Sequence, residues 1–237
     1  MSNGFYQAVS ALVSRMSALD VVAHNLANAN TTGFRAQRQL FSSVLASAQG
    51  DAQYGILSGT RTDLTQGSLE KTGNELDLAI DGTGFFALKT AHGTRYTRDG
   101  SFRLDRQGNL VNAAGDAVLG EGGVPVQLPS GKIAIGPDGT LAVDEAVAGK
   151  LQIVAPNDAT ALSPAGDNQF SADPKSMHDG EGFSVHQGAL EGSNISPVEG
   201  AVELVKLQRQ ADMMQRVIQI FNSDFNRTAI EQVARPL

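Results

Sequence analysis

The chain has no cysteine and no tryptophan, and its only aromatics are ten Phe and three Tyr among 237 residues. Without thiols, disulfides, thiolate zinc sites and a Cys nucleophile are excluded. Few rings also disfavour stacking on single-stranded bases. Charge is sparse as well: 18% of residues are charged and 41% hydrophobic, against about a quarter charged in an average domain. Lys and Arg number 18 and Asp and Glu 25, a net charge of −7. That balance argues against a binder of nucleic-acid phosphates. No run approaches the roughly 18 apolar residues of a membrane span, so no span is expected. Residues 1–7 carry neither a basic cluster nor a continuous apolar stretch, and a cleavable secretory signal is not expected.

The charges that are present sit unevenly. Residues 1–40 carry a net +2, residues 41–194 a net −9, and residues 195–237 five bases against five acids. Within the first 30 residues only Arg15 and Asp20 are charged. Apolar residues there fall at Phe5, Val9, Leu12, Met16, Leu19, Ala23 and Leu26, alternating steps of 4 and 3. This is a heptad seam without proline, and it predicts a helix over 5–28, roughly 35 Å long at 1.5 Å per residue. Asn28, Asn30 and Thr31-Thr32-Gly33 supply its stop.

The other end repeats the pattern. Leu204, Leu207, Ala211, Met214, Ile218, Phe221, Phe225 and Thr228 form a second seam, predicting a helix over 197–230. Pro197 suits its first turn, Ser196 or Asn194 its cap, and Glu199 the positive end of its dipole. Pairing the two seams as a coiled coil buries both. Val13, Val22, Ala8, Ala11 and Ala18 lie off the first seam and Val202, Val205, Val217 and Ile220 off the second, and the first helix's other face is Ser, Ala, Asn and Gln. Small and uncharged, they suit contact with further helices better than a solvated face would.

Between the helices the period changes to two. Strands are expected at 76–80, 85–89, 94–97, 101–105, 110–112, 117–119, 124–128, 132–135, 140–143 and 151–155, separated by Asp-Gly, Gly-Asn and Gly-Asp turns. Residues 34–70 read as a polar, extended connector, and 156–184 as a second loose stretch. The fold class is therefore α+β, with terminal helices pairing as a coiled coil around an inserted, mainly antiparallel β domain. The corresponding divisions are 1–33, 34–70, 71–190 and 191–237.

Candidate chemistry dissolves on inspection. Asp81-Gly82-Thr83-Gly84 lacks the Asp-Thr-Gly of an aspartic protease and the third Gly and helix of a dinucleotide fingerprint, so a tight turn is expected. Asp99 to Asn109 lacks the ligand order and closing Glu of a calcium loop. None of His24, His92, His178 and His186 has a second ligand at helical spacing, and His24 reads as a hydrogen-bonding residue at a helix contact. No catalytic residue, metal site or cofactor is expected.

Three stretches resemble the bacterial flagellar rod and hook proteins. The first runs from Ala18 to Arg35 and includes Asn25-Leu26-Ala27-Asn28 and Thr32-Gly33-Phe34; the family commonly shows Asn where this chain has His24. The second runs from Gly67-Ser68-Leu69 through Asn74–Phe86 and Tyr96–Phe102 to Gly108-Asn109-Leu110-Val111. The third spans Gly188 to Glu199. Glu121-Gly122-Gly123, Pro197-Val198-Glu199 and the short connector at 36–66 favour the proximal-rod members, with a distal-rod or hook-type axial protein as the alternative. The resemblance implies a structural role: terminal helices forming the inner tube of a periplasmic rod and the β domain its outer layer. Partners would be other rod subunits and further copies of itself. Delivery would be through the flagellar type III export apparatus without a cleavable signal. From a different class, a secreted β-domain enzyme or carbohydrate-binding protein with a helical stalk would need clustered carboxylates or exposed aromatics in one cleft.

Overall fold

The computed structural model describes the backbone of residues 2–45 and 53–233 and the side chains of residues 8–40, 59–221 and 223. The chain divides into two compact units. Met1–Ala27, Gln37–Arg61 and Ser196–Leu237 form the first, Asn28–Ala36 and Thr62–Ile195 the second.

In the first unit, helix α1 (Ser2–Ala27) packs along helix α2 (Pro197–Val233). Both helices were expected, and α2 runs three residues further than its seam implied. Its start follows the local chemistry: Ser196 Oγ accepts from the Glu199 N–H at 3.4 Å, and Pro197 holds the first position, where a missing N–H costs nothing. The segment read as a connector differs from expectation. It contains two long strands, Gln37–Leu45 and Gln53–Thr62, paired as a two-stranded sheet. Their polar composition hides them, because a ribbon outside the main core does not need strict apolar alternation.

The second unit is built on a ten-stranded sheet whose described pairings are antiparallel. Its central strand, Phe85–Thr90, lies between Gly93–Thr97 on one side and Ala117–Gly120 and Ile153–Pro156 on the other. Phe85, Phe86, Ala87 and Leu88 are all buried, since both faces of this strand are covered. Phe86 and Leu88 join Leu78, Ile80, Leu110, Val118 and Leu141 in the larger core. Phe85 and Ala87 join Tyr96, Leu162 and Phe170 in a smaller one on the opposite face. Edge-on rings fix both clusters: Phe86 to Phe102 at 5.1 Å and Phe85 to Phe170 at 5.8 Å.

A three-stranded sheet (Ile133–Ile135, Thr140–Val143, Ala146–Lys150) adds to the larger core. Two small sheets pair distant segments: Ser184–Gln187 with Leu78–Asp81, and Ala189–Glu191 with Leu69–Lys71. The stretch 156–184, expected to be loose, holds the Ser163–Gly166, Gln169–Ser171 and Met177–Asp179 strands. Their partners lie in other segments or across a tight turn, so local composition reads as loop.

The turns follow the residues expected of them. Asp105 accepts from the backbone N–H groups of Gln107 and Asn109, both at 2.8 Å, and Gly108 adopts φ +82°. Gly82 and Gly84 have φ of +99° and +134° and turn the chain between the Leu78–Asp81 and Phe85–Thr90 strands.

Candidate assembly site

On α2, Leu207 and Ala211 are buried, and Leu204, Met214 and Ile218 are half-buried. On α1, Ala8 is buried, while Val9, Leu12, Leu19, Ala23 and Leu26 are half-buried. Two expected seam positions are not covered in the single chain: Met16 is 52% exposed and Phe221 43%. Phe5 and Phe225 lie outside the residues whose side chains are described. Val13, Val198, Val202, Val205, Met213, Val217 and Ile220 are exposed. A large apolar set on two packed helices marks a surface made for another protein surface.

The sequence motif that follows α1 has a distinct structural job at each residue. The Asn25 carboxamide pairs with both backbone groups of Gln37: its Nδ2 donates to the carbonyl at 2.8 Å and its Oδ1 accepts from the N–H at 2.9 Å. The side chain thus imitates a strand partner. Asn28 stops the helix by accepting from Thr31, through its carbonyl from the backbone N–H and through its side chain from the hydroxyl. Ala27 is exposed and so is His24, which was expected at a helix contact.

Beyond the helix, Thr32–Ala36 crosses the β unit as a strap. The Thr32 carbonyl accepts from Asn168 Nδ2. Gly33 donates to the Glu191 carbonyl at 2.6 Å, and Ala36 donates to Asn194 Oδ1 at 2.8 Å. Asn194, expected as an alternative cap for α2, instead spends its amide on the carbonyls of Asp63 and Thr65. Phe34, Arg35 and Ala36 are buried.

At the centre lies a fully buried carboxylate. Glu191 Oε1 accepts from Arg35 Nη2 at 2.6 Å and from the Gly67 N–H at 2.9 Å, and its Oε2 accepts from Arg98 Nη1 at 2.9 Å. Arg98 also donates to the carbonyls of Ile80 and Gly82, and its guanidinium lies 5.3 Å from the Phe85 ring centre. Burial pulls the Arg98 pKa down to about 10, partly offset by Glu191. A buried ion cluster adds little net stability, but removing one member leaves the others uncompensated. Local periodicity gives no sign of it. Arg35 and Glu191 both lie in the quoted family stretches, and that is the only signal that could have singled them out.

An enzyme or carbohydrate site calls for clustered carboxylates or exposed aromatics in one cleft. An open groove of about 600 Å³ beside Val124 and Val147 has Glu121 and Lys150 as its charged lining and no aromatic. Tyr96 is buried. Among the described residues, no three His, Cys, Asp or Glu are grouped as a metal site requires, and no helix is long and apolar enough to cross a membrane.

These features define a class of protein: a β unit inserted between two terminal helices that pack on each other and keep an apolar face exposed. Three regions match known families. Residues 5–35 match the flagella basal body rod protein family, 79–143 the D1 domain of the flagellar hook proteins FlgE/F/G, and 186–229 the C-terminal region of the flagellar basal body rod FlgEFG proteins. The chain is 32% identical to the flagellar basal-body rod protein FlgF of Caulobacter vibrioides over 247 residues, covering 99% of each chain. It is 34% identical to FlgF of Mesorhizobium japonicum, covering 88% of this chain and 89% of that protein. It is 29% identical to FlgG of Bacillus subtilis, covering 92% and 94%. The chain belongs to the flagellar basal-body rod protein family.

Proposed function

We propose that this protein is a structural subunit of the flagellar basal-body rod, of the proximal-rod kind, and has no enzymatic role. The observation that carries the reading is the exposed apolar set on the α1–α2 pair, in a chain that matches rod proteins along nearly its whole length. The seams at Phe5–Leu26 and Leu204–Phe225 pair the two ends as a coiled coil. The faces left over pack head-to-tail on the next subunits. Such a heterologous contact does not close on itself and propagates as a helix of subunits. The product is a periplasmic shaft that passes torque to the hook. Subunits travel as unfolded chains through the type III export apparatus. In the free monomer the terminal helices lack most of their partners and are disordered.

Deletion of residues 2–27 tests the reading. The expected result is loss of swimming and of rod density in cryo-EM maps of basal bodies, with a β unit that still folds. Normal swimming by that deletion would overturn it. Circular dichroism of dilute monomer addresses the disordered ends separately: helical content that already accounts for α1 and α2 would sink that part.

A further inference from the structure

The strap at 32–36 and the segment 191–194 hold each other by reciprocal bonds. Gly33 donates to the Glu191 carbonyl, Ala36 donates to the Asn194 side chain, and the Asn194 N–H donates to the Phe34 carbonyl at 3.4 Å. Undocking either segment orphans polar groups of the other. Besides their separate bonds to Asn168, Ser68, Asp63 and Thr65, one side chain ties both to Arg98. Arg98 directly follows the Gly93–Thr97 strand of the large sheet and donates to the carbonyls of Ile80 and Gly82, Arg35 belongs to the strap, and the Glu191 carboxylate bridges the two. The cluster has no slack: among the described residues, Arg35 Nε and Nη1 and Arg98 Nε are buried without a partner.

We propose that residues 32–36 and 191–194 form a single latch, docked or released as a unit, with the Glu191 carboxylate as the positioning group that closes it. Loss of one carboxylate then releases both segments together, and the latch opens at lower free energy than the sheet beneath it. The strap carries few apolar contacts of its own beyond Phe34, whereas the sheet is held by the Leu78–Val185 core. The inference does not depend on the rod reading.

Native-state hydrogen exchange on the full chain is the test. In the unaltered protein, the amides of Gly33, Ala36, Gly192 and Asn194 should exchange through one common opening, at least tenfold faster than those of Leu88 and Val118. Glu191→Gln should speed those four at least tenfold more, leave the sheet amides unchanged, and expose the Arg35–Ala36 bond to trypsin. Arg35→Ala, which keeps the Glu191–Arg98 pair, should also speed all four. The proposal is overturned if strap and sheet exchange in one step in the unaltered protein. It is equally overturned if Gly33 and Ala36 respond in the variants while Gly192 and Asn194 do not, or if Arg35→Ala leaves all four protected. Should Glu191→Gln fail to fold, the unaltered protein and Arg35→Ala decide the matter.

Discussion

Gly33 lies directly on the backbone of Arg98: a Cβ at that position would come within 2.4 Å of the Arg98 carbonyl carbon. The φ of +66° there adds a second reason for glycine. Neither obstacle is a flexible side-chain tip. Gly33→Ala is expected to destabilise the protein by about 2–4 kcal/mol, from strain and overpacking together. Urea unfolding would measure it, and a loss under ~0.5 kcal/mol would refute the close approach.

Asn25→Asp keeps the shape of the side chain and loses its donor. The new carboxylate would face the Gln37 carbonyl that now receives the Asn25 N–H. Where α1 is formed, in the assembled subunit, a cost of about 1–3 kcal/mol is expected for the unsatisfied, repelling pair. Faster amide exchange at Gln37, with the β-unit amides unchanged, is the local signature to look for.

Substitutions on α2 should separate folding from assembly. Val202 and Ile220 are 66% and 59% exposed, so Val202→Asp and Ile220→Asp should shift monomer stability by no more than ~0.5 kcal/mol. If these faces bind neighbouring subunits, both variants should still block rod formation and swimming. Leu207 is 4% exposed, and Leu207→Asp should disrupt the helix pair as it forms on assembly, because an isolated carboxylate is costly to bury.

Truncation in the main core should be expensive. Phe86 is fully buried and meets Phe102 edge-on. Phe86→Ala is expected to cost about 3–5 kcal/mol, read from the midpoint of chemical unfolding.

Two turn carboxylates should titrate low. Hydrogen bonds from Asn109 and Thr140, respectively, hold Asp105 and Asp138 below the usual 3.8. The folded pKa is depressed, so whatever stability each adds is present above the unfolded value and is lost as pH falls through the folded one. Carboxyl carbon shifts followed by NMR would show both midpoints under 3.8, and a midpoint at or above it would contradict the turn geometry.

How much was legible in the residues varies with the range of the interaction. The period of 3.5 from Phe5 to Leu26 and from Leu204 to Phe225 located both helices, because helical bonds are local and each residue reports on its own turn. Strands bounded by Asp-Gly or Gly-Asn turns were legible for the same reason. Met16 is exposed in the single chain because a heptad fixes the spacing of a seam, whereas the side of the helix that is covered depends on the partner. Ala146–Lys150 escaped notice because all five residues are exposed and show no alternation. Ala189–Glu191 pairs with Leu69–Lys71 across more than a hundred residues, and no local pattern announces such a partner. Glu191 was hidden for that reason too: within Ala-Leu-Glu-Gly-Ser it reads as a solvated acid at a turn.

Arg35 and Glu191 are 156 residues apart in the chain. At ~5–20 residues per second, roughly 8 to 30 s separate the synthesis of one from that of the other. Throughout that interval the cation near the N-terminus has no carboxylate to receive it, and the domain cannot be finished. Completion is timed by the final short strand, Ala189–Glu191. Until then the strap at 32–36 lacks both the carbonyl and the carboxylate of Glu191 that hold it.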